Sequence, residues 1–337
     1  MIRNLGSKFL PFYVCLIVTM AVAWPALPAA ESGTIHAQSG EVGEPVNLSN
    51  TTGKSWLPDI AADSAGNLHA VWTEEYLPSD DDGQWGDAIL YTMWDGQAWT
   101  EPRDILVVRS NLSPDGLADS HLPAIAVDSK GLLHVTWTDI KNTCYSHAWA
   151  QAAPWSARSW SSPLVISNGR PTYFSDLAVD SHDNVHAVWV KASLEDRMID
   201  QLLCRFCDDI FYAHSTDGGV NWSDPVDISK SPERANRPRL TVDNQDHLHV
   251  VWESVNVNDH GLGIGYERSA DGGQTWSGLA DLNADIGADR PSNATVAADR
   301  AGRVHVMWFG LSGGYTKSMP RLCRMSVEYL HSENESK

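Results

Sequence analysis

The sequence is short of positive charge. Its 24 lysine and arginine residues face 43 aspartate and glutamate residues, which gives a formal net charge of -19 at pH 7. A field of this sign repels nucleic acid and anionic membranes, so neither is an expected partner. The sequence also has no nucleophile elbow, phosphate-binding loop or dinucleotide fingerprint, and we expect no cofactor.

Long apolar runs are absent after the first 30 residues. Within those residues, Arg3 and Lys8 precede the apolar stretch Phe9–Ala23, and small residues follow it, which is typical of a secretory signal. We predict a signal peptide over 1–30, a linker over 31–43 and one domain over 44–337. The protein is then secreted, periplasmic or on the cell surface. An uncleaved N-terminal anchor is the alternative, because the apolar run is only slightly short for a membrane span.

A pattern of Leu or Val followed by His-x-x-Trp is repeated five times. The repeats lie 52 to 65 residues apart and begin at His69, His134, His186, His249 and His305. A period of this length indicates one supersecondary unit per repeat. One histidine per repeat at a fixed position is better explained by equivalent packing than by metal binding, and we expect no metal site.

Each repeat is predicted to contain four short strands. A short apolar run ending in Asp forms the first strand, a turn with Gly, Asn or Asp follows, and the His-x-x-Trp segment forms the second. The third carries a tyrosine at a constant position, and the fourth follows a tryptophan. Four antiparallel strands per repeat indicate an all-β fold, a β-propeller with five blades. The tyrosines are Tyr91, Tyr145, Tyr212, Tyr266 and Tyr329.

Two turns between the third and fourth strands match the Asp-box, S-x-D-x-G-x-x-W. Their residues are Ser215, Asp217, Gly219 and Trp222, and Ser269, Asp271, Gly273 and Trp276. Because of these two turns, the chain resembles the Asp-box (BNR) repeat proteins of the sialidase-like β-propeller superfamily. The resemblance covers about residues 44–332. The box residues themselves are interpreted as structural, since Asp accepts backbone hydrogen bonds, Gly permits a positive φ and Trp anchors the turn.

The two ends of the chain predict how the ring closes. Residues 44–49 resemble the start of a fourth strand, as at residues 224–229, whereas the fifth repeat lacks one after its third strand, Val327–Ser332. Pairing these segments would complete the fifth blade and cover an open edge. Sialidases have six blades, so an incomplete six-bladed propeller is the alternative.

The cysteines favour disulfides because the protein is predicted to be exported. Cys144, Cys204, Cys207 and Cys323 allow three full pairings, and we expect Cys144 to bond to Cys204 or Cys207, since their blades are neighbours. The acidic segment Ser79–Gly83 with Asp87 is interpreted as a solvated loop, since its spacing matches no calcium-binding motif.

The propeller face opposite the Asp-boxes carries the candidate ligand-binding residues. One ring position, four residues before each first-strand Asp, is occupied by Asp59, Ala124, Asp176, Arg239 and Thr295. Residues just before the first strand and just after the second complete the set. Carboxylates beside aromatic rings suit sugars, and a solvated rim with ion pairs is the alternative. The ligand-binding candidates are Trp56, Asp59, Glu74, His121, Asp139, Tyr173, Asp176, Asn236, Arg239 and Glu253.

The sialidase resemblance implies an arginine triad, a tyrosine nucleophile with a glutamate, and an aspartate acid/base. Its first arginine is expected two residues before proline, where this sequence has Trp56, His121 and Asn236. No catalytic residue is therefore assigned. The sequence favours a non-catalytic module that binds a glycan, or a glycosylated or protein partner. A glycoside hydrolase with a non-standard catalytic set and a structural surface scaffold are the alternatives. The oligomeric state is left open.

Overall fold

Each His-x-x-Trp segment is the second strand of an antiparallel sheet. These segments are rich in valine, which suits a pleated strand buried on both sides. The strand Val185–Ala192 shows this pattern, since all eight of its residues are buried. The four-strand repeat is therefore formed around a second strand that contributes to two hydrophobic interfaces.

The computed structural model describes residues 45–51, 53–76, 86–105, 121–139, 141–151, 156–167, 171–192, 197–199, 202–204, 207–230, 233–256, 261–284, 289–312 and 324–331. Residues 47–337 belong to one compact unit, whereas Met1–Val46 belong to another, of which only residues 45 and 46 are described. The predicted signal peptide and linker lie outside the described residues. The described part contains no helix long and apolar enough to span a membrane.

In the described part of the chain, five sheets form successive blades and a sixth is a small two-stranded hairpin, which confirms the predicted propeller with five blades. Blade 1 consists of β1 (Lys54–Ala62), β2 (Leu68–Tyr76), β3 (Gly86–Trp94) and β4 (Arg103–Asp104). Blade 2 consists of β5 (His121–Val127), β6 (Leu132–Thr138), β7 (Thr143–Trp149) and β8 (Leu164–Val165). A short 3-10 turn, Ala157–Ser159, precedes β8.

Blade 3 consists of β9 (Thr172–Val179), β10 (Val185–Ala192), β13 (Asp208–Ser215) and β14 (Val226–Asp227). Its insertion carries a small hairpin of β11 (Arg197–Ile199) and β12 (Leu202–Cys204). Blade 4 consists of β15 (Arg234–Val242), β16 (Leu248–Val255), β17 (Gly261–Ser269) and β18 (Ala280–Asp281). Blade 5 contains β19 (Asp289–Ala298), β20 (Val304–Ser312) and β21 (Arg324–His331).

The repeated histidine has a structural role in every blade. Its Nδ1 lies 2.6 to 2.9 Å from the hydroxyl oxygen of the third-strand tyrosine. Its Nε2 faces the Asp that ends the first strand, at 3.1 to 3.8 Å. The histidines therefore join three strands within each blade, which confirms the packing interpretation. Among the described residues no group of three or more His, Cys, Asp or Glu side chains is placed to hold a metal ion.

The tyrosines also connect neighbouring blades. The Tyr145 hydroxyl donates to the Gly218 carbonyl, and the Tyr212 hydroxyl donates to the Gly272 carbonyl, at 3.2 and 3.0 Å. Each ring packs edge-on against a tryptophan of the same turn, Trp222 or Trp276, with 5.0 Å between centroids. Both Ser-x-Asp-x-Gly-x-x-Trp turns are thus contact points between blades.

Hydrogen bonds within each turn fix its shape. In the first turn, Ser215 Oγ accepts from the Gly219 amide and Asp217 accepts from the Asn221 amide. In the second turn, Ser269 and Asp271 make the same bonds to the amides of Gly273 and Thr275. These contacts agree with the structural role that the sequence predicts for the box residues.

The predicted closing strand is not formed in this structure. Residues 45–49 of the segment 44–49 are described and belong to no strand. Blade 5 therefore has three strands in the described part of the chain, and the third covers Arg324–His331 rather than Val327–Ser332. Sequence similarity to a fourth strand does not ensure pairing, because pairing depends on the blade geometry at both ends.

The predicted bond between Cys144 and the Cys204/Cys207 pair is wrong. Cys144 is a free, fully buried thiol packed between blades 1 and 2, and burial raises its pKa. Cys207 is disulfide-bonded. Adjacent blades bring cysteines into the same region, but Cys144 faces blade 1, away from blade 3.

Candidate functional site

A β-bulge interrupts the first strand of every blade, opposite the repeated tryptophan of the second strand. In blade 1 the register shifts between Trp56 and Asp59, so Leu57 and Pro58 face Trp72. The other blades have register shifts at the corresponding point. An extra residue at this point accommodates the indole and turns the preceding side chains outward.

The bulges contain non-glycine residues in the left-handed region of backbone conformation. Their φ values lie between 46° and 57° at Leu57, Leu122, Phe174, Arg237 and Asn293. Such residues are energetically unfavourable and concentrate at functional sites. The sequence alone did not predict these conformations. The only available signal was the proline that follows three of them, at Pro58, Pro123 and Pro238.

Exposed aromatic side chains precede the bulges in blades 1 and 3. Trp56 is 46% exposed and Tyr173 is 40% exposed, and each stands three residues before the ring-position residue of its blade. In blade 4, Asn236 occupies this position and is half-buried. His121 begins β5, and its side chain lies outside the described part of the chain. The first strands thus present flat apolar surface at the candidate face.

The ring position places three charged groups close enough to influence one another. Burial raises the pKa of both Asp59 and Asp176, and the charge of the exposed Arg239 partly offsets this rise. The charge of Asp59 in turn raises the pKa of Asp176. These three side chains come from blades 1, 3 and 4, so the structure brings charged residues of three blades close together. Ala124 is buried and Thr295 is exposed at the remaining ring positions.

Both ring-position carboxylates also hold neighbouring blades together. Asp59 accepts a hydrogen bond from the Ile125 amide of blade 2 at 2.7 Å, and Asp176 accepts one from the Leu240 amide of blade 4 at 2.8 Å. Burial raises the pKa of both groups, and that of Asp176 reaches about 6. Their oxygens therefore take part in hydrogen bonds between blades. No feature of the sequence predicted these hydrogen bonds.

The carboxylates predicted just after the second strand are buried rather than placed at the channel mouth. Glu74 accepts from Ser55, Thr51 and the Trp72 indole. Asp139 accepts from the amides of Lys141 and Asn142. These side chains follow the second-strand tryptophan by two residues, so they lie on one side of the strand.

Glu253 is not equivalent to this set. It lies inside β16, one residue after Trp252, and therefore on the other side of the strand. It accepts a hydrogen bond from Arg237 at 3.1 Å and from the amide of Asn293, the left-handed residue of blade 5. Arg237 in turn stacks over the Phe174 ring, 5.3 Å from its centroid. This cluster links the bulges of blades 3, 4 and 5.

We expect replacement of Asp176 by Asn to change the pH dependence of stability. The folded pKa of about 6 exceeds the ordinary value of 3.8, so the Asp176 contribution is fully present below pH 3.8 and is lost as the pH rises to about 6. Asn does not ionise, so the loss of one hydrogen-bond acceptor changes the free energy of unfolding by an amount that does not depend on pH. The stability of Asp176→Asn relative to the native protein should therefore increase between about pH 4 and pH 6. Thermal unfolding midpoints measured across this range test the expectation, and a constant difference would contradict it.

No protein-family model matches this sequence, and no curated protein sequence matches it. Among solved structures, a protein of unknown function from Dyadobacter fermentans is 13% identical with a TM-score of 0.52, over 78% of this chain and 76% of that chain. A leech intramolecular trans-sialidase complexed with 2,7-anhydro-Neu5Ac is 10% identical with a TM-score of 0.51, over 85% of this chain and 62% of its own. An alpha-L-arabinanase from Penicillium chrysogenum, complexed with arabinobiose, is 14% identical with a TM-score of 0.50, over 76% and 77%. At these identities the similarity shows a shared fold and does not transfer an activity.

Proposed function

We propose that this protein is an exported, non-catalytic propeller that binds a glycan, free or on a glycosylated partner, at the face bearing the bulges. The observation that carries the proposal is the exposure of Trp56 and Tyr173 next to the charged ring positions. Flat aromatic rings cover the apolar faces of pyranosides, and carboxylates and guanidinium groups bond to their hydroxyls. The aromatic and charged groups lie on first strands that are fixed by packing, which limits the entropy lost on binding.

The chemistry of the carboxylates supports binding over hydrolysis. A glycosidase needs an acid and a second carboxylate that acts as a base or nucleophile. Both oxygens of Asp176 accept backbone amides, from Leu177 and Leu240, and Asp59 accepts from Ile125. Carboxylates held in this way serve as fixed hydrogen-bond acceptors and are poorly placed to exchange protons with a substrate.

The two glycan-complexed structural relatives are consistent with sugar recognition on this fold. The hydrolase alternative is favoured by one observation, the pKa of Asp176 at about 6, because a general acid must hold its proton near neutral pH. The discriminating measurement is incubation of the protein with a mixed glycan library, with retained and cleaved sugars identified by mass. Released sugar would establish a hydrolase, and neither retention nor release would favour a structural scaffold.

We expect Trp56→Ala and Tyr173→Ala each to weaken retention of the bound glycan by about tenfold, because each removes a stacking surface. The matched control is Trp149→Ala. Trp149 is 49% exposed and pairs with Leu132 at the start of β6, beside the turn between β5 and β6, on the opposite side of the propeller. Glycan affinity is measured by titration calorimetry. Equal losses in all three variants would place the binding surface elsewhere.

A further inference from the structure

The joints between neighbouring blades are built on one pattern. One blade contributes the residue before its second-strand tryptophan and its third-strand tyrosine. The next blade contributes its tryptophan and an apolar residue of its first strand. Between blades 3 and 4, Val188 and Tyr212 pack in this way with Leu240 and Trp252. The joint between blades 1 and 2 repeats the pattern with Val71, Tyr91, Ile125 and Trp137.

Apolar residues of both halves of this pattern are exposed at the two ends of the blade series, although the blade 1 tryptophan, Trp72, is buried. Blade 5 presents Met307, which is 44% exposed although its equivalent Val71 is fully buried. Blade 1 presents Ile60, which is 56% exposed although its equivalent Ile125 is 5% exposed. Leu330, beside Tyr329 on β21, is also exposed. Blade 5 thus carries one half of a joint and blade 1 carries the other.

The blade series does not close on itself in this structure. The first strands contact one another extensively in the order β1, β5, β9, β15 and β19, and the described residues show no comparable contact between β19 and β1. Hydrogen bonds cross the existing joints from both ends. Asp59 and Asp176 bond to the next blade at one end, and Ser129 and Ser181 bond to Asp183 and Asp246 at the other. The joint between blades 3 and 4 is packed and is bonded at both ends, by Asp176 and Ser181, so it resists the rotation that closure within one chain requires.

We infer that a second copy of this chain covers these surfaces, with blade 5 of one copy packed against blade 1 of the next. The two surfaces are complementary because they are the two halves of the joint that the chain forms four times internally. The contact is head-to-tail, so it leaves one open surface at each end of a dimer and leads to a larger ring or a filament. The net charge of -19 opposes the association, which should therefore strengthen as salt is added.

The test uses two variants of the full protein, Ile60→Asp and Met307→Asp, whose masses are measured by light scattering after size-exclusion chromatography. In a solution of either variant alone, every contact between blade 5 of one copy and blade 1 of the next includes one substituted surface. Each variant alone should therefore be monomeric. A mixture of the two can combine an undamaged blade 5 with an undamaged blade 1 and should give a dimer that grows no further. The native protein should form larger species at concentrations up to roughly 100 µM.

The control is Leu164→Asp, which alters an exposed apolar residue on the outer strand β8 of blade 2 and should leave the native association unchanged. Cooperative thermal unfolding of each variant shows that it is folded, and Ile60→Ser and Met307→Ser replace the Asp variants if either fails to fold. A monomeric native protein would overturn the inference in favour of closure within the chain. A dimer that both single variants retain would also overturn it, because such a dimer uses another surface.

Discussion

Gly273→Ala is expected to destabilise the protein by about 3 kcal/mol, against about 1 kcal/mol for Gly272→Ala. Both glycines have a positive φ, 89° and 69°, so both variants carry a similar backbone penalty. They differ in what the new methyl group meets. At Gly273 it would overlap the ring and hydroxyl of Tyr212, whereas at Gly272 nothing lies within 4 Å.

The Tyr212 ring has little freedom to move away. It is fully buried, its hydroxyl is bonded to His186 and to the Gly272 carbonyl, and Trp276 packs against its edge. Urea denaturation of the two variants measures the difference. Equal losses would mean that the joint between blades 3 and 4 yields to the methyl group, and that backbone conformation alone determines the cost.

Tyr212→Phe is expected to lower the free energy of unfolding by about 2 kcal/mol. The change removes one hydroxyl group and keeps the ring, so the packing against Trp276 is preserved. It leaves two buried polar groups, His186 Nδ1 and the Gly272 carbonyl, without this hydroxyl as a partner. Unsatisfied buried groups cost more than the bond that is lost.

Tyr329→Phe in blade 5 is the matched control. Tyr329 has the same position relative to its histidine, with 2.6 Å between its hydroxyl and His305 Nδ1, but it is 51% exposed. In the monomer water can replace the hydroxyl there, so at concentrations that keep the protein monomeric we expect a loss below about 1 kcal/mol. A loss at Tyr329 equal to that at Tyr212 would show that the bond to histidine, and not the bond between blades, determines the stabilisation.

The repeat in the sequence predicted much of the fold because blade packing requires the same residue types at the same positions. The spacing of His69 and Tyr91 predicted paired strands, and the structure places their side chains 2.8 Å apart. The candidate site was less predictable. Trp56 and Tyr173 are exposed, whereas Glu74 and Glu253 are buried although they lie on opposite sides of their strands, because a second strand such as β16 is buried on both sides.

The Cys144 prediction was wrong for a different reason. Adjacency of blades 2 and 3 follows from the repeat, but the direction of a side chain depends on its strand register, and Cys144 faces blade 1. The bulges were missed because a left-handed residue such as Phe174 has no sequence marker. Its conformation is imposed by the indole on the neighbouring strand.

The sequence by itself determined the strands, the order of the blades and the residues that join each blade internally, since these depend on patterns that repeat within about 60 residues. The tertiary structure alone decided three features: the bulges that turn Trp56 outward, the bonds that commit Asp59 and Asp176 to neighbouring blades, and the exposure of Ile60 and Met307 at the ends of the series. The bulges depend on the indole of the neighbouring strand, and the other two features depend on the angle between sheets that are distant in sequence. That angle is the sum of many packing contacts, and no local pattern encodes it.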